Sequence, residues 1–205
     1  MAALGCRAMP TAGAGSRPDQ ECVTVDDAIS CRRSVRHYLP NAVPEGVVRS
    51  LVDLARHAPS SMDGQPCHFI VIRDRATCRQ LADIKRRHCP PDKRSYPCDF
   101  LADAPVVIVV CVEREQSHDR ALENGVMASA FLLLAAAGRG LGTVYLTAQR
   151  QGDVALADEI RGLLAIPAGI DPITLIPLGY PAGSPHSKEL RDIDTILHHE
   201  RFDAI

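Results

Sequence analysis

Between Pro105 and Glu113 the chain runs Val106-Val107-Ile108-Val109-Val110-Cys111-Val112, an apolar stretch dominated by β-branched residues. Such a run is too short to be a membrane span, and its branched side chains favour pleated backbone, so it predicts a buried strand. Phe69 to Ile72, Thr143 to Leu146 and Ile173 to Leu178 predict three more strands by the same reasoning. The segments between them carry helical periodicity. Thr24 with Asp27 forms a capping box that opens a helix running into Arg32. Pro44, at a first helical position, opens a second helix that Pro59 stops. Further helices are expected near Ala76 to Arg86, from about Asp119 to Gly138, and from a capping Asp153 to Leu164. In the long 119–138 helix, Val126, Met127, Ala130, Leu133, Leu134 and Ala137 make a wide apolar stripe suited to core or interface. Alternating elements of this kind predict an α/β or α+β sandwich with helices on a central sheet.

The chain has 205 residues, 46% of them hydrophobic, enough for one sizeable core. A net charge of −2 gives no broad basic field, which argues against a nucleic-acid binder. No window reaches the roughly 18 consecutive apolar residues of a membrane span, and residues 1–21 contain no apolar signal core. Those first 21 residues, rich in Ala, Gly, Pro and Ser, are expected to be a disordered extension ahead of one domain over 22–205. Eight cysteines without a secretion signal read as free thiols in a reducing cytoplasm. His88, Cys89 and Cys98 fall in one Pro-rich loop, but their spacing fits no standard zinc site, and no metal is assigned. Local sequence offers no Ser-His-Asp or Cys-His set.

Four short patterns carry the functional signal. Arg32-Arg33-Ser34-Val35-Arg36 gathers three guanidinium groups and a hydroxyl within five residues, a composition suited to holding a phosphate. A loop Pro59-Ser60-Ser61-Met62-Asp63-Gly64-Gln65-Pro66 follows the second helix. Gly140-Leu141-Gly142-Thr143 comes after a helix and before a strand, the reverse of the dinucleotide-binding fingerprint, so a nicotinamide Rossmann site is unsupported. Pro177-Leu178-Gly179-Tyr180-Pro181 closes the fourth strand.

In this order, over residues 24 to 202, the patterns resemble the FMN-dependent nitroreductase family. The resemblance implies an α+β fold (an α/β sandwich) with a central mixed sheet flanked by helices, and a homodimer whose flavin site is shared between subunits. It implies that Arg32, Ser34 and Arg36, with Arg33 beside them, bind the FMN phosphate and ribityl chain. It implies that Pro59, Ser60, Ser61, Met62, Asp63 and Gln65 lie against the isoalloxazine, and that Thr147 and Ala148 offer backbone N–H groups to the flavin N5 edge. Lys188 and Arg191 would complete the phosphate site. Two positions depart from the family pattern: Asp63 stands where Asn is common, and Cys67 where Trp is usual. The activity implied is ping-pong transfer from NAD(P)H through FMN to a nitroaromatic, quinone or related small acceptor, with no dedicated proton-transfer side chain. A non-catalytic flavin-binding protein, or flavin-based dehydrogenation or oxygen chemistry, is the alternative.

Overall fold

The computed structural model describes residues 24–90, 98–150, 154–184 and 187–202. The expected 1–21 extension and the Asp153 cap therefore lie outside the described residues.

The first helix, α1 (Val25–Cys31), starts as expected. Thr24 Oγ1 accepts from Asp27 N at 3.1 Å, and Asp27 Oδ2 accepts from Thr24 N at 3.2 Å. Pro44 is the N-cap of α2 (Glu45–Ala55) rather than its first residue. The helix ends four residues before Pro59, because Leu54 and Ala55 carbonyls accept from His57 and Ala58 in a tightened last turn. Strand β1 (Cys67–Ile72) leads into α3 (Arg75–Arg87), capped by Asp74 accepting from Thr77 N at 2.8 Å. One turn, α4 (Phe100–Asp103), precedes β2 (Val106–Glu113). The long α5 (Ala121–Ala137) is followed by two short strands, β3 (Gly142–Thr143) and β4 (Leu146–Thr147). After α6 (Ala155–Leu164) comes β5 (Ile170–Gly179).

The sheet runs β1-β2-β5-β3, with β4 also on β5, and every paired strand is antiparallel. Its mixed character comes from one parallel bridge, Ser34 to Thr143, at the edge. The single strand expected over 143–146 is divided, and the register gives the reason. Gly142 faces Gly179 and Leu146 faces Leu175, so Val144 falls opposite Pro177. A proline there has no N–H to give the ladder, and pairing lapses until Leu146.

Strand β2 alternates strictly between two cores. Val106, Ile108 and Val110 pack with Leu51, Leu132 and Ala136 of α2 and α5. Val107, Val109 and Cys111 pack with Leu81, Ile84, Leu156 and Ile160 of α3 and α6. The sheet is thus covered on both faces, which is why its central strand is apolar throughout. Gly125 lets α5 press onto β5: a Cβ there would come within 2.6 Å of the Ile173 side chain.

The α5 stripe divides between two faces. Leu133 and Ala137 are buried under α5, whereas Val126 and Met127 stand exposed beside Leu122. Leu122, Val126 and Met127 thus form an apolar patch on α5 that its own chain does not cover. Among the described residues, no helix is long and apolar enough to cross a membrane.

Candidate flavin site

The basic segment leaves α1 and lies along the open edge of β3. Arg32 ends the helix with its N–H on Ala28 O at 3.1 Å. Arg33 turns back onto the helix end, donating to Ser30 O at 2.6 Å and Arg32 O at 2.9 Å, so its guanidinium serves the exposed carbonyls of α1. Val35 N donates to Thr143 O at 2.9 Å, and its side chain faces inward onto Gly142. In extended chain the flanking Ser34 and Arg36 therefore project from the opposite face. Ser34 is exposed, and the Arg36 guanidinium carbon lies 6.0 Å from the Phe100 ring centroid.

Tyr38 fixes this strap from below. Its hydroxyl donates to Val35 O at 2.6 Å and approaches Pro177 O at 3.4 Å, and burial raises its pKa above the ordinary phenol range. The strap continues as Leu39 N donates to Tyr180 O at 2.8 Å and Ala182 N to His37 O at 3.0 Å. This accounts for the Leu178-Gly179-Tyr180-Pro181 pattern. A Cβ on Gly179 would meet Pro105 at 2.7 Å and Tyr38 at 2.9 Å.

Thr147 sits on the same sheet edge, four residues from Thr143, about 13 Å away at the rise of a strand. Ala148 N donates to Ile173 O at 2.9 Å, so its N–H is spent inside the sheet. In the alternation of an antiparallel ladder that leaves Thr147, opposite Thr174, with N–H and C=O turned away from β5. Of the two backbone donors expected at a flavin edge, Thr147 alone faces outward.

The Pro59 to Gln65 loop is built elsewhere. Ser61 N donates to Asn124 Oδ1 at 3.0 Å, Gln65 N to Ser60 Oγ at 3.0 Å, and Gln65 Nε2 to Asp63 Oδ1 at 3.2 Å. Met62, Asp63 and Gln65 all adopt positive φ (49°, 54° and 47°), a left-handed backbone that costs non-glycine residues energy. The loop presents Met62 at 82% exposure. Beneath it, Cys67 Sγ donates to Asn124 O at 3.7 Å, and burial pushes the thiol pKa up to about 11.

Loop and basic strap are tied to opposite ends of α5. Asn124 holds the loop at the first turn, and Ala28 packs against Gly138 at the last. Those two positions are about 21 Å apart along a helix axis. Lys188 and Arg191 lie in the exposed 187–202 segment, with Arg191 donating to Thr195 O at 3.5 Å. His88, weighed as a metal ligand, has Nε2 2.7 Å from Glu159 Oε1.

Several residues of the strap edge and the loop carried no sequence signal. Lys85, within the solvated-looking run Lys85-Arg86-Arg87, donates from Nζ to Thr147 O at 2.6 Å. Asn124, inside an apolar helix, anchors the loop. Phe100 lies beneath Arg36 only because α4 packs on α3, which no local pattern reveals.

The donor set suits an FMN. Exposed Ser34 and the flanking Arg36 at one end and an outward backbone N–H at the other lie along a single edge, as a phosphate and a ring joined by an extended chain require.

A model of the nitroreductase family matches residues 29–180. The chain is 35% identical to an NADH dehydrogenase/NAD(P)H nitroreductase of Methanothermobacter thermautotrophicus, with 86% of each chain covered. A crystal structure of an NADH dehydrogenase/NAD(P)H nitroreductase from Parabacteroides distasonis superposes with a TM-score of 0.76 at 28% identity, covering 87% of this chain and 98% of that one. The structure of an FMN-dependent nitroreductase from Clostridium difficile gives 0.72 at 25% identity, over 85% and 98%.

Proposed function

Because this chain belongs to the nitroreductase family, we propose that it is an FMN-dependent NAD(P)H oxidoreductase whose site is completed by a second copy of itself. The observation that carries the reading is the Ser34 to Thr143 bridge. It supports the reading because it lays the Arg32 to Arg36 segment on the sheet edge that also carries Thr147.

Bound FMN supplies the two-electron chemistry, taking hydride from NAD(P)H and passing the electrons to a nitroaromatic, quinone or related small acceptor in successive use of one pocket. The chain's own part is binding and placement. Arg32 and Arg36 neutralise a phosphate dianion by charge-assisted hydrogen bonds, and Ser34 adds a neutral one. Thr147 N–H marks the position of the ring edge. With the chemistry on the cofactor, the edge needs no acid–base side chain of its own.

The Pro59 to Gln65 loop meets this edge across a dimer. Within one chain the loop is held about 21 Å along α5 from the start of the strap. The exposed Leu122, Val126 and Met127 face of α5 provides the apolar surface for a twofold contact. A second copy would then bring its strained loop, with Met62 and Asp63 outermost, to the first copy's ring. A cytoplasmic location goes with this reading, since a reducing compartment keeps thiols such as Cys89 and Cys98 reduced.

Anaerobic addition of NADH or NADPH to the FMN-loaded protein tests the function. Rapid loss of the oxidised-flavin absorbance band is expected. Flavin that stays bound yet unbleached would instead indicate a flavin-sequestering protein.

A further inference from the structure

Lys85 reaches the Thr147 edge from α3, a different layer of the molecule. Its Nζ donates to Thr147 O at 2.6 Å. That carbonyl is available because the ladder turns it away from β5, with Ala148 N–H already on Ile173 O. In extended backbone the N–H and C=O of one residue leave on the same side. Once the carbonyl is taken by Lys85, the Thr147 N–H and the Lys85 ammonium stand together at the open edge of the sheet.

The surroundings keep that charge in place. Asp99 is engaged by Arg86 and Glu159 by Arg87 and His88, so the nearby carboxylates are committed elsewhere. The groups acting on Lys85 are the Cys98 and Cys89 thiols and the Arg150 cation, which itself donates to His88 O at 2.8 Å. Burial is the main influence on Lys85 and lowers its pKa below the ordinary lysine value, as Arg150 also does. Cys98 in turn lies within reach of both the Lys85 and the Arg36 charges.

We propose that Lys85 is a positioning residue for the flavin ring, holding Thr147 with its N–H outward and setting a positive charge at this edge, close enough to the ring to attract the negative charge that the ring gains on reduction. The inference rests on the reading that FMN lies along this edge. A half-buried ammonium there stabilises the reduced cofactor more than the oxidised one, because only the reduced ring carries the extra charge.

The test compares Lys85→Met, Lys85→Gln and Lys85→Arg by FMN binding and by spectroelectrochemical titration at one pH. Oxidised FMN should bind the Gln and Arg variants, which keep a donor for Thr147 O, about as well as the unsubstituted protein, and the Met variant less tightly. The Met and Gln variants should lose about tenfold of the preference for reduced over oxidised FMN, a fall of roughly 30 mV in a two-electron couple. The Arg variant should keep the original potential. If Met fails to fold, Gln gives the same reading, since it keeps a donor for Thr147 O and removes the charge. An unchanged potential in the Gln variant overturns the inference and leaves Lys85 a structural tether. Failure of the unsubstituted protein to bind FMN overturns the reading of the site instead.

Discussion

Val35 occupies the space that a side chain at Gly142 would need: a Cβ there would lie 2.6 Å from Val35 Cγ1 and 2.7 Å from Val35 Cβ. This contact lets the basic strap lie flat on β3, and it gives the Gly-Leu-Gly pattern a packing role instead of a phosphate-cradling one. Gly142→Ala should push the strap off the edge and weaken FMN binding by about tenfold, near 1.4 kcal/mol. Adding Val35→Ala should restore much of the loss. Fluorescence titration of FMN against the single and double variants checks the coupling, and independent, additive effects would refute it.

Replacing Arg32 and Arg36 by Ala removes charge-assisted hydrogen bonds worth about 1.5 to 3 kcal/mol each, a loss of about tenfold to hundredfold in FMN affinity per residue. Arg33→Ala should have much the smaller effect on FMN, since its guanidinium is already spent on Ser30 O and Arg32 O. Equal losses at Arg33 and Arg36 would show that the strap rearranges around the phosphate.

Asp63 sits on the strained loop with its carboxylate accepting from Gln65 Nε2. Placed about 8 Å from a reduced ring at an effective dielectric of about 20, its charge would oppose reduction by on the order of 2 kcal/mol. Asp63→Asn should therefore raise the midpoint potential by about 10 to 40 mV, after allowance for solvent. An unchanged or lowered potential would mean that this carboxylate does not face the flavin.

The thiols give a pH-dependent check. Burial raises Cys67 from 9.0 to about 11 and Cys111 from 9.0 to about 12. The folded chain thus keeps these protons over a window in which the unfolded chain has lost them, and the two thiols make stability fall as pH rises from about 9 to 12. At pH 8 only about a thousandth of Cys67 is thiolate, so iodoacetamide should modify it far more slowly than an ordinary exposed cysteine. Rapid labelling of Cys67 in folded protein at that pH would contradict its placement beneath the loop.

Much of this could be read from the chain because it depends on neighbours in sequence. The Thr24 and Asp27 capping box, the seven-residue core of β2 and the extent of α5 are local patterns, and the strap was legible from its charge density. What was not legible depends on distant partners. The gap between β3 and β4 is set by Pro177, more than thirty positions along the chain. Arg33 and Arg36 are equivalent by composition, and only the turn at the end of α1 sends one back to Ser30 and leaves the other over Phe100. Lys85 is one of three consecutive cations, and its distinction is a contact with a strand 62 residues away.

On the proposed reading, loop and strap of one flavin site come from two chains. Mixing two defective variants, Arg32→Ala/Arg36→Ala in one chain and Ser60→Ala/Ser61→Pro/Asp63→Ala in the other, and refolding them together separates a shared site from one built within a single chain. In a hybrid dimer one site inherits both defects and the other inherits neither. Random pairing should therefore restore roughly a quarter of the FMN that NAD(P)H bleaches in the unsubstituted protein. A mixture no better than its parents, with each variant folded and dimeric by light scattering, would contradict the shared site.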